Sequence, residues 1–359
     1  MNRPKDTNLP SLDGLRAFSI GLVILGHAMR GREKHSLLFR LFFLHADLGV
    51  IVFFIISGFL ITTLLMSERA EFGSISLRLF YIRRALRILP AFCVFVGTTF
   101  LLSLLGFIYI PPRLWIYVLT YTVDFVTQGV WEVGHLWSLS VEEQFYLLWP
   151  LLMCFAKLRT CVVLAVFAIF WGIFIHVFFV VTGIQLIDPA MGYAFPFVCG
   201  PIATGCLLAI AAPWVRRLLN EHRRLSGPAA VALAVALVLL LDTGLGSLSR
   251  YTGILKSLLL TFCVARFVFR PQGFTAVALN SWPAVFIGKL SYSLYLWQQL
   301  FFDPYSTSLF CKFPLNLCLT LAVACLSYFL IEIKFLNLRH RFRRESIQKL
   351  GMPQAVSSA

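Results

Sequence analysis

Ten apolar stretches, at 13–31, 44–66, 88–110, 136–156, 160–182, 193–212, 227–242, 251–269, 284–302 and 313–335, constrain this chain more than any other feature. A helix rises 1.5 Å per residue, so about 20 residues cross the ~30 Å hydrocarbon layer. Inside lipid every backbone N–H and C=O must find an internal partner, which a helix supplies and an irregular chain does not. The pattern therefore predicts an all-α membrane protein, a bundle of about ten transmembrane helices. Composition agrees: 13% of residues are charged and 59% are hydrophobic, whereas soluble domains carry about 25% charged residues.

Ten crossings put both termini on one side. Of the 31 Lys and Arg, roughly two-thirds fall in the termini and loops of that side, which marks it as cytoplasmic. The net charge of +15 then follows from membrane topology, and no nucleic-acid partner is needed to explain it. The polar start MNRPKDTNLPSL, with no small-residue cleavage site after the first apolar run, predicts a retained N-terminus. Three parts are expected: a cytoplasmic N-terminal segment (1–12), a transmembrane domain (13–335), and a basic, then polar, cytoplasmic tail (336–359). Residues 111–130 are apolar enough to enter the membrane, but counting them as a crossing inverts every later loop. They read as an interfacial or re-entrant helix with an aromatic belt of Trp115, Tyr117 and Tyr121. Nine cysteines, mostly in apolar runs and without a CxxC pair, indicate neither a disulfide framework nor a metal site.

Four segments carry polar chemistry. In the first apolar run, Arg16 and His27 are eleven residues apart, about 20° past three full turns, so they share a face and lie ~16 Å apart along the axis. Ionisable groups at membrane depth are costly and normally face a bundle interior. The plainer alternatives are a core histidine bonded to a carbonyl, and a snorkelling arginine paired with Asp13. In SLRLFYIRRALRILP, Arg83, Arg84 and Arg87 fall along one side of a helix. They suit bidentate phosphate binding, or they form an ordinary cytoplasmic basic cluster. Pro90 is expected in the first turns of the following span, where its missing N–H costs little. In GHLWSLSVEEQFYLLWP, His135, Ser138, Glu142 and Tyr146 make a polar stripe running inward. Carboxylates that merely stabilised the helix dipole would not explain that stripe. GKLSYSLYLWQQ, with Lys289 at its cytoplasmic edge, is weak alone, because Ser and Tyr often join membrane helices.

Taken together and in order, the runs LDGLRAFSIGLVILGH (12–27), GVIVFFIISGFLIT (49–62), FYIRRALRILPAF (80–92), HLWSLSVEEQFYLLWP (135–150) and GKLSYSLYLW (288–297) resemble the acyltransferase-3 family of bacterial multi-pass membrane O-acyltransferases. The resemblance spans roughly residues 10–335. It implies a ten-helix bundle in the bacterial cytoplasmic membrane. The donor it implies is cytoplasmic acyl-CoA, usually acetyl-CoA, and the acceptor a hydroxyl on a carbohydrate or lipid-linked glycan. Arg16 and His27 match its first-helix motif, with His27 the catalytic histidine; Arg84 and Arg87 match its Arg-x-x-Arg; Glu142 matches its acidic position. The family's late helix commonly reads LYLWH, whereas here Gln298 stands in the histidine's place. Some members append a periplasmic hydrolase-like domain; this chain ends soon after the tenth stretch, so such an activity is expected from another protein.

The residues support the same chemistry. O-acylation needs a base at the acceptor hydroxyl, which a histidine can supply near neutrality. A thioester is already activated, so no metal is called for. Arg84 and Arg87, with Arg16, are placed to bind CoA phosphates, and a pantetheine arm is comparable in length to the Arg16–His27 separation. Glu142 is expected to orient His27 or stabilise its imidazolium. The competing reading is a proton-coupled transporter or flippase for a sugar or lipid-linked sugar, with His27 and Glu142 as a relay. Such folds usually show paired repeats, and none is visible here.

Overall fold

The computed structural model describes residues 10–29, 46–126, 130–182, 193–223, 227–243 and 252–338, and among them only helices and loops occur. The expected segment 1–12 and tail 336–359 thus lie mostly outside the described residues. In chain order the helices are α1 (Pro10–Met29), α2 (Ala46–Phe72), α3 (Leu77–Leu104), α4 (Leu114–Leu119), α5 (Trp131–Gly134), α6 (Leu136–Phe155), α7 (Leu158–Thr182), α8 (Phe195–Val198), α9 (Gly200–Ile210), α10 (Ala212–Glu221), α11 (Pro228–Thr243), α12 (Gly253–Phe269), α13 (Gly273–Leu279), α14 (Trp282–Phe301) and α15 (Leu315–Ser327). Each of the ten apolar stretches coincides with helix.

Among the described residues, four helical stretches are long and apolar enough to cross a membrane: Ser11–Met29, Ala46–Phe72, Leu77–Leu104 and Leu315–Leu338. A fifth arises if α9 and α10, bent by 76° at their junction, count as one broken span. The protein is a membrane protein. Helices α6 and α14, with 20 residues each, are long enough but not among the four. Their sequences hold two glutamates and a glutamine, and a lysine, serines, tyrosines and two glutamines, respectively. That polar content lowers their hydropathy, and it is the content that builds the site.

The bundle packs around α2, which contacts α1, α6, α9 and α12. Close approach there depends on small residues, as is usual where lipid supplies no hydrophobic drive between helices. A Cβ added to Gly58 would lie 2.0 Å from the Ile202 carbonyl oxygen, and one on Gly205 would lie 2.1 Å from that of Ile55. Gly288 seats α14 against the start of α1 in the same way, with the Asp13 carbonyl 2.0 Å from where its Cβ would be. These contacts join α2 closely to α9, and α14 to α1.

Two local expectations need correction. Pro90 lies well inside α3, because that helix begins at Leu77 with Ser76 as its N-cap. The basic stretch 77–87 is helical without being apolar, so hydropathy placed the start about three turns late. Tyr292 of α14 donates to the Ile88 carbonyl at 2.9 Å, a side-chain bond next to the proline. The expected helix at 111–130 is the six-residue α4, about 9 Å long, followed by a 3₁₀ turn at Val123–Phe125; residues 127–129 lie outside the described residues. Its aromatic rings are half-buried and pack against the core beside α3. Trp115 packs edge-on to Phe100 (5.2 Å) and Tyr121 stacks on Phe92 (4.6 Å), both on α3.

Candidate active site

The first-helix arginine, the Arg-x-x-Arg pair and the acidic position converge on a single cavity. Arg16, Arg84, Arg87 and Glu142 line it, together with Ser57 of α2, Ser138 and Tyr146 of α6, and Ser291, Tyr292 and Tyr295 of α14. Its volume of ≈ 90 Å³ holds a narrow chain or several waters. Arg16 comes from α1, where Asp13 one turn earlier holds it at 3.3 Å. Arg84 and Arg87 come from the N-terminal half of α3. Arg84 lies over the Tyr146 ring at 3.8 Å, and its Nε is buried with no hydrogen-bond partner among the described residues. Three guanidinium groups and one carboxylate give this cavity an excess of positive charge, the chemistry that binds phosphate oxygens.

Arg83, expected on the same side, is turned away. It pairs with Glu68 at 2.7 Å, and Glu68 also accepts the Ser76 N–H at 2.8 Å. Glu68 therefore ties down the start of α3 and leaves the two neighbouring arginines to the cavity. Arg69 donates to the Met153 and Cys154 carbonyls, satisfying the last turn of α6.

Glu142 faces the cavity as the polar stripe required. Ser57 donates to it at 2.6 Å, and the Tyr146 hydroxyl, with one proton to give, lies 3.2 Å from Glu142 and 3.1 Å from Ser57. The expected partnership with His27 takes another form: at the imidazole Nδ1 stands Gln298 Oε1, 3.2 Å away. The reason is axial position. The α6 end that reaches the level of His27 is near His135, seven residues and ~10 Å before Glu142.

His27 belongs to a second layer, three turns along α1 from Arg16. Its ring packs edge-on to Trp131 with centroids 5.3 Å apart. Trp131 Nε1 donates to the Gln299 carbonyl at 2.8 Å. His135 is buried, with Nδ1 2.8 Å from Gln299 Oε1 and Nε2 3.1 Å from the Leu296 carbonyl. Adjacent glutamines of α14 thus each hold a histidine, one on α1 and one just before α6. Tyr295 links the layers, since its hydroxyl lines the cavity, bonds Ser138 at 2.6 Å and donates to the His135 carbonyl at 2.5 Å. Among the described residues no three His, Cys, Asp or Glu side chains come together in a way that could hold a metal ion.

Ser57, Tyr295, Gln299 and Trp131 were not singled out from sequence. A serine in the middle of the very apolar run FFIISGFLIT and the paired glutamines of LYLWQQ were the available signals.

A family profile described as an acyltransferase domain matches residues 9–332. A Staphylococcus aureus (strain COL) protein with a provisional O-acetyltransferase name is 29% identical across 98% of this chain and 61% of its own length. The O-acetyltransferase OatA of Staphylococcus aureus (strain NCTC 8325 / PS 47) is 31% identical across 81% of this chain and 50% of its own length. The chain thus spans under two-thirds of the length of these curated relatives. No solved structure matches it.

Proposed function

We propose, because this chain belongs to the acyltransferase-3 family and gathers Arg16, Arg84, Arg87 and Glu142 on one cavity, that it is a membrane O-acyltransferase using acyl-CoA. The relatives' names favour acetyl as the acyl group and a hydroxyl as the acceptor; the acceptor class we propose is a carbohydrate or lipid-linked glycan. The observation that carries the reading is the convergence of three arginines from two helices on one cavity, with His27 three turns further along the helix that supplies Arg16. In this reading ten helices cross the cytoplasmic membrane, both termini are cytoplasmic, and the arginines lie at the cytoplasmic mouth.

The arginines hold the phosphates of CoA, and the pantetheine arm runs along α1 past Ser138 and Tyr295 toward His27. His27 takes the proton of the acceptor hydroxyl as its oxygen attacks the thioester carbonyl. The new C–O bond forms, the C–S bond breaks, and the proton passes to the departing CoA thiolate. Glu142 sits at the donor end, where it offsets part of the guanidinium charge and fixes Tyr146 beneath Arg84.

The test is direct. Envelope glycans from a strain lacking the gene are compared with wild type by mass spectrometry, and the purified protein is titrated with CoA, dephospho-CoA and pantetheine. The reading expects loss of an ester in the first comparison and weaker binding down the series in the second. Unchanged esters together with equal affinity for CoA and pantetheine would remove it.

A further inference from the structure

The nitrogen of His27 that faces α14 is closed off by a residue the chemistry above does not use. Gln298 is fully buried. Its Oε1 lies 3.2 Å from His27 Nδ1, and its own Nε2 has no partner among the described residues. An amide oxygen only accepts, so this contact requires the hydrogen on Nδ1 and leaves the lone pair of a neutral imidazole on Nε2. Placing an amide in a buried site with its N–H₂ unsatisfied is costly, and the bond to the imidazole is the return on that arrangement. Trp131 closes the edge of the same ring and is itself held by the Gln299 carbonyl. Two consecutive residues of α14 therefore restrain the imidazole, one through its Nδ1 and the other through the indole beside it.

We infer that Gln298 is a positioning residue that holds His27 in the Nδ1–H tautomer and so presents Nε2 as the proton-accepting atom. It acts as the third member of a base-orienting set, as a carboxylate or amide does beside other catalytic histidines. A neutral amide does this without bringing a second charge into the membrane, where an unpaired carboxylate is costly. The inference rests on His27 being the base, yet the tautomer is a property of the resting protein and can be read without turnover.

The experiment uses ¹⁵N-histidine-labelled full-length protein in detergent, with the His27 signals identified by their loss in His27→Ala. The expected result is a protonated Nδ1 and an unprotonated Nε2, with the preference lost in Gln298→Met. Wild type in the Nε2–H form, or a Gln298→Met spectrum identical to wild type, overturns the inference whatever the enzyme does. A second readout separates positioning from folding. At matched protein amount, Gln298→Met should lower the acetyl-ester content of envelope glycan at least tenfold while CoA affinity stays at the wild-type value. Undiminished esters in the variant would remove the positioning role. Undiminished esters in His27→Ala would instead remove the histidine base and leave the tautomer assignment standing.

Discussion

The two ends of the site are built on opposite principles. At one end, three arginines and a glutamate surround open space, and Arg84 rests on a ring face with an unpartnered Nε. At the other, two histidines meet amide and carbonyl oxygens at 2.8–3.2 Å, and an indole packs edge-on to one of them with centroids 5.3 Å apart. Charge on mobile stems tolerates small errors of position, because Coulomb attraction falls off slowly with distance. Proton transfer does not, because it needs one chosen nitrogen within hydrogen-bond reach. In the proposed function this contrast corresponds to donor recognition at the arginine end and proton transfer at the histidine end.

Each prediction attacks this division. The largest effect is expected from His27→Ala, which should lower acyl transfer by about 10²–10⁴ while CoA affinity is unchanged; a parallel loss of CoA binding would merge the two ends into one. Arg84→Ala and Arg87→Ala should each weaken CoA binding by roughly 10- to 150-fold, the equivalent of ~1.5–3 kcal/mol for a charge-assisted contact. Pantetheine binding should barely move, and if it falls equally the arginines serve folding rather than phosphate. Gly288→Ala addresses both ends at once, since its methyl must displace the Asp13 carbonyl. Overpacking of this kind costs about 1–3 kcal/mol and should lower the melting temperature with CoA binding and transfer falling together. Glu142→Gln should tighten CoA binding, because it removes a carboxylate that repels phosphate in the same cavity, while transfer falls. Weaker CoA binding in that variant would mean the carboxylate's main task is to hold the arginines. Glu143→Gln is expected to change either quantity by less than about twofold, as Glu143 does not line the cavity and surface or non-site substitutions are usually small.

The helices were legible because apolar runs of about 20 residues leave the chain few alternatives. The start of α3 was not, because it is made by a Ser76 cap and a Glu68–Arg83 pair, and these carry no hydropathy signal. Within the site, Arg16 and His27 could be placed on one face from the 3.6-residue period, as could Glu142 and Tyr146. Partners could not be placed in the same way. Ser57 reaches Glu142 from 85 residues away and Gln298 reaches His27 from 271, distances over which periodicity says nothing. Arg83 shows the limit most directly: it shares a helix side with Arg87, but a carboxylate outside the cavity claims it. The axial offset between Glu142 and His27 was likewise invisible until α1 and α6 were set side by side.

The seating of α14 against α1 through Gly288 has a consequence for how the protein is made. Ribosomes add about 5–20 residues per second, so the 271 residues between His27 and Gln298 separate their synthesis by roughly 15–55 s. During that interval the first helix is already in the bilayer with its imidazole lacking the buried amide that will hold it. The polar helices α6 and α14 gain least from lipid and most from the helices they pack against, α14 chiefly from α1 and α15, so the order of birth favours late locking over early insertion. A ribosome stalled before α14 should therefore leave an inserted but inactive intermediate whose α1 is still open to water-soluble labels at position 27.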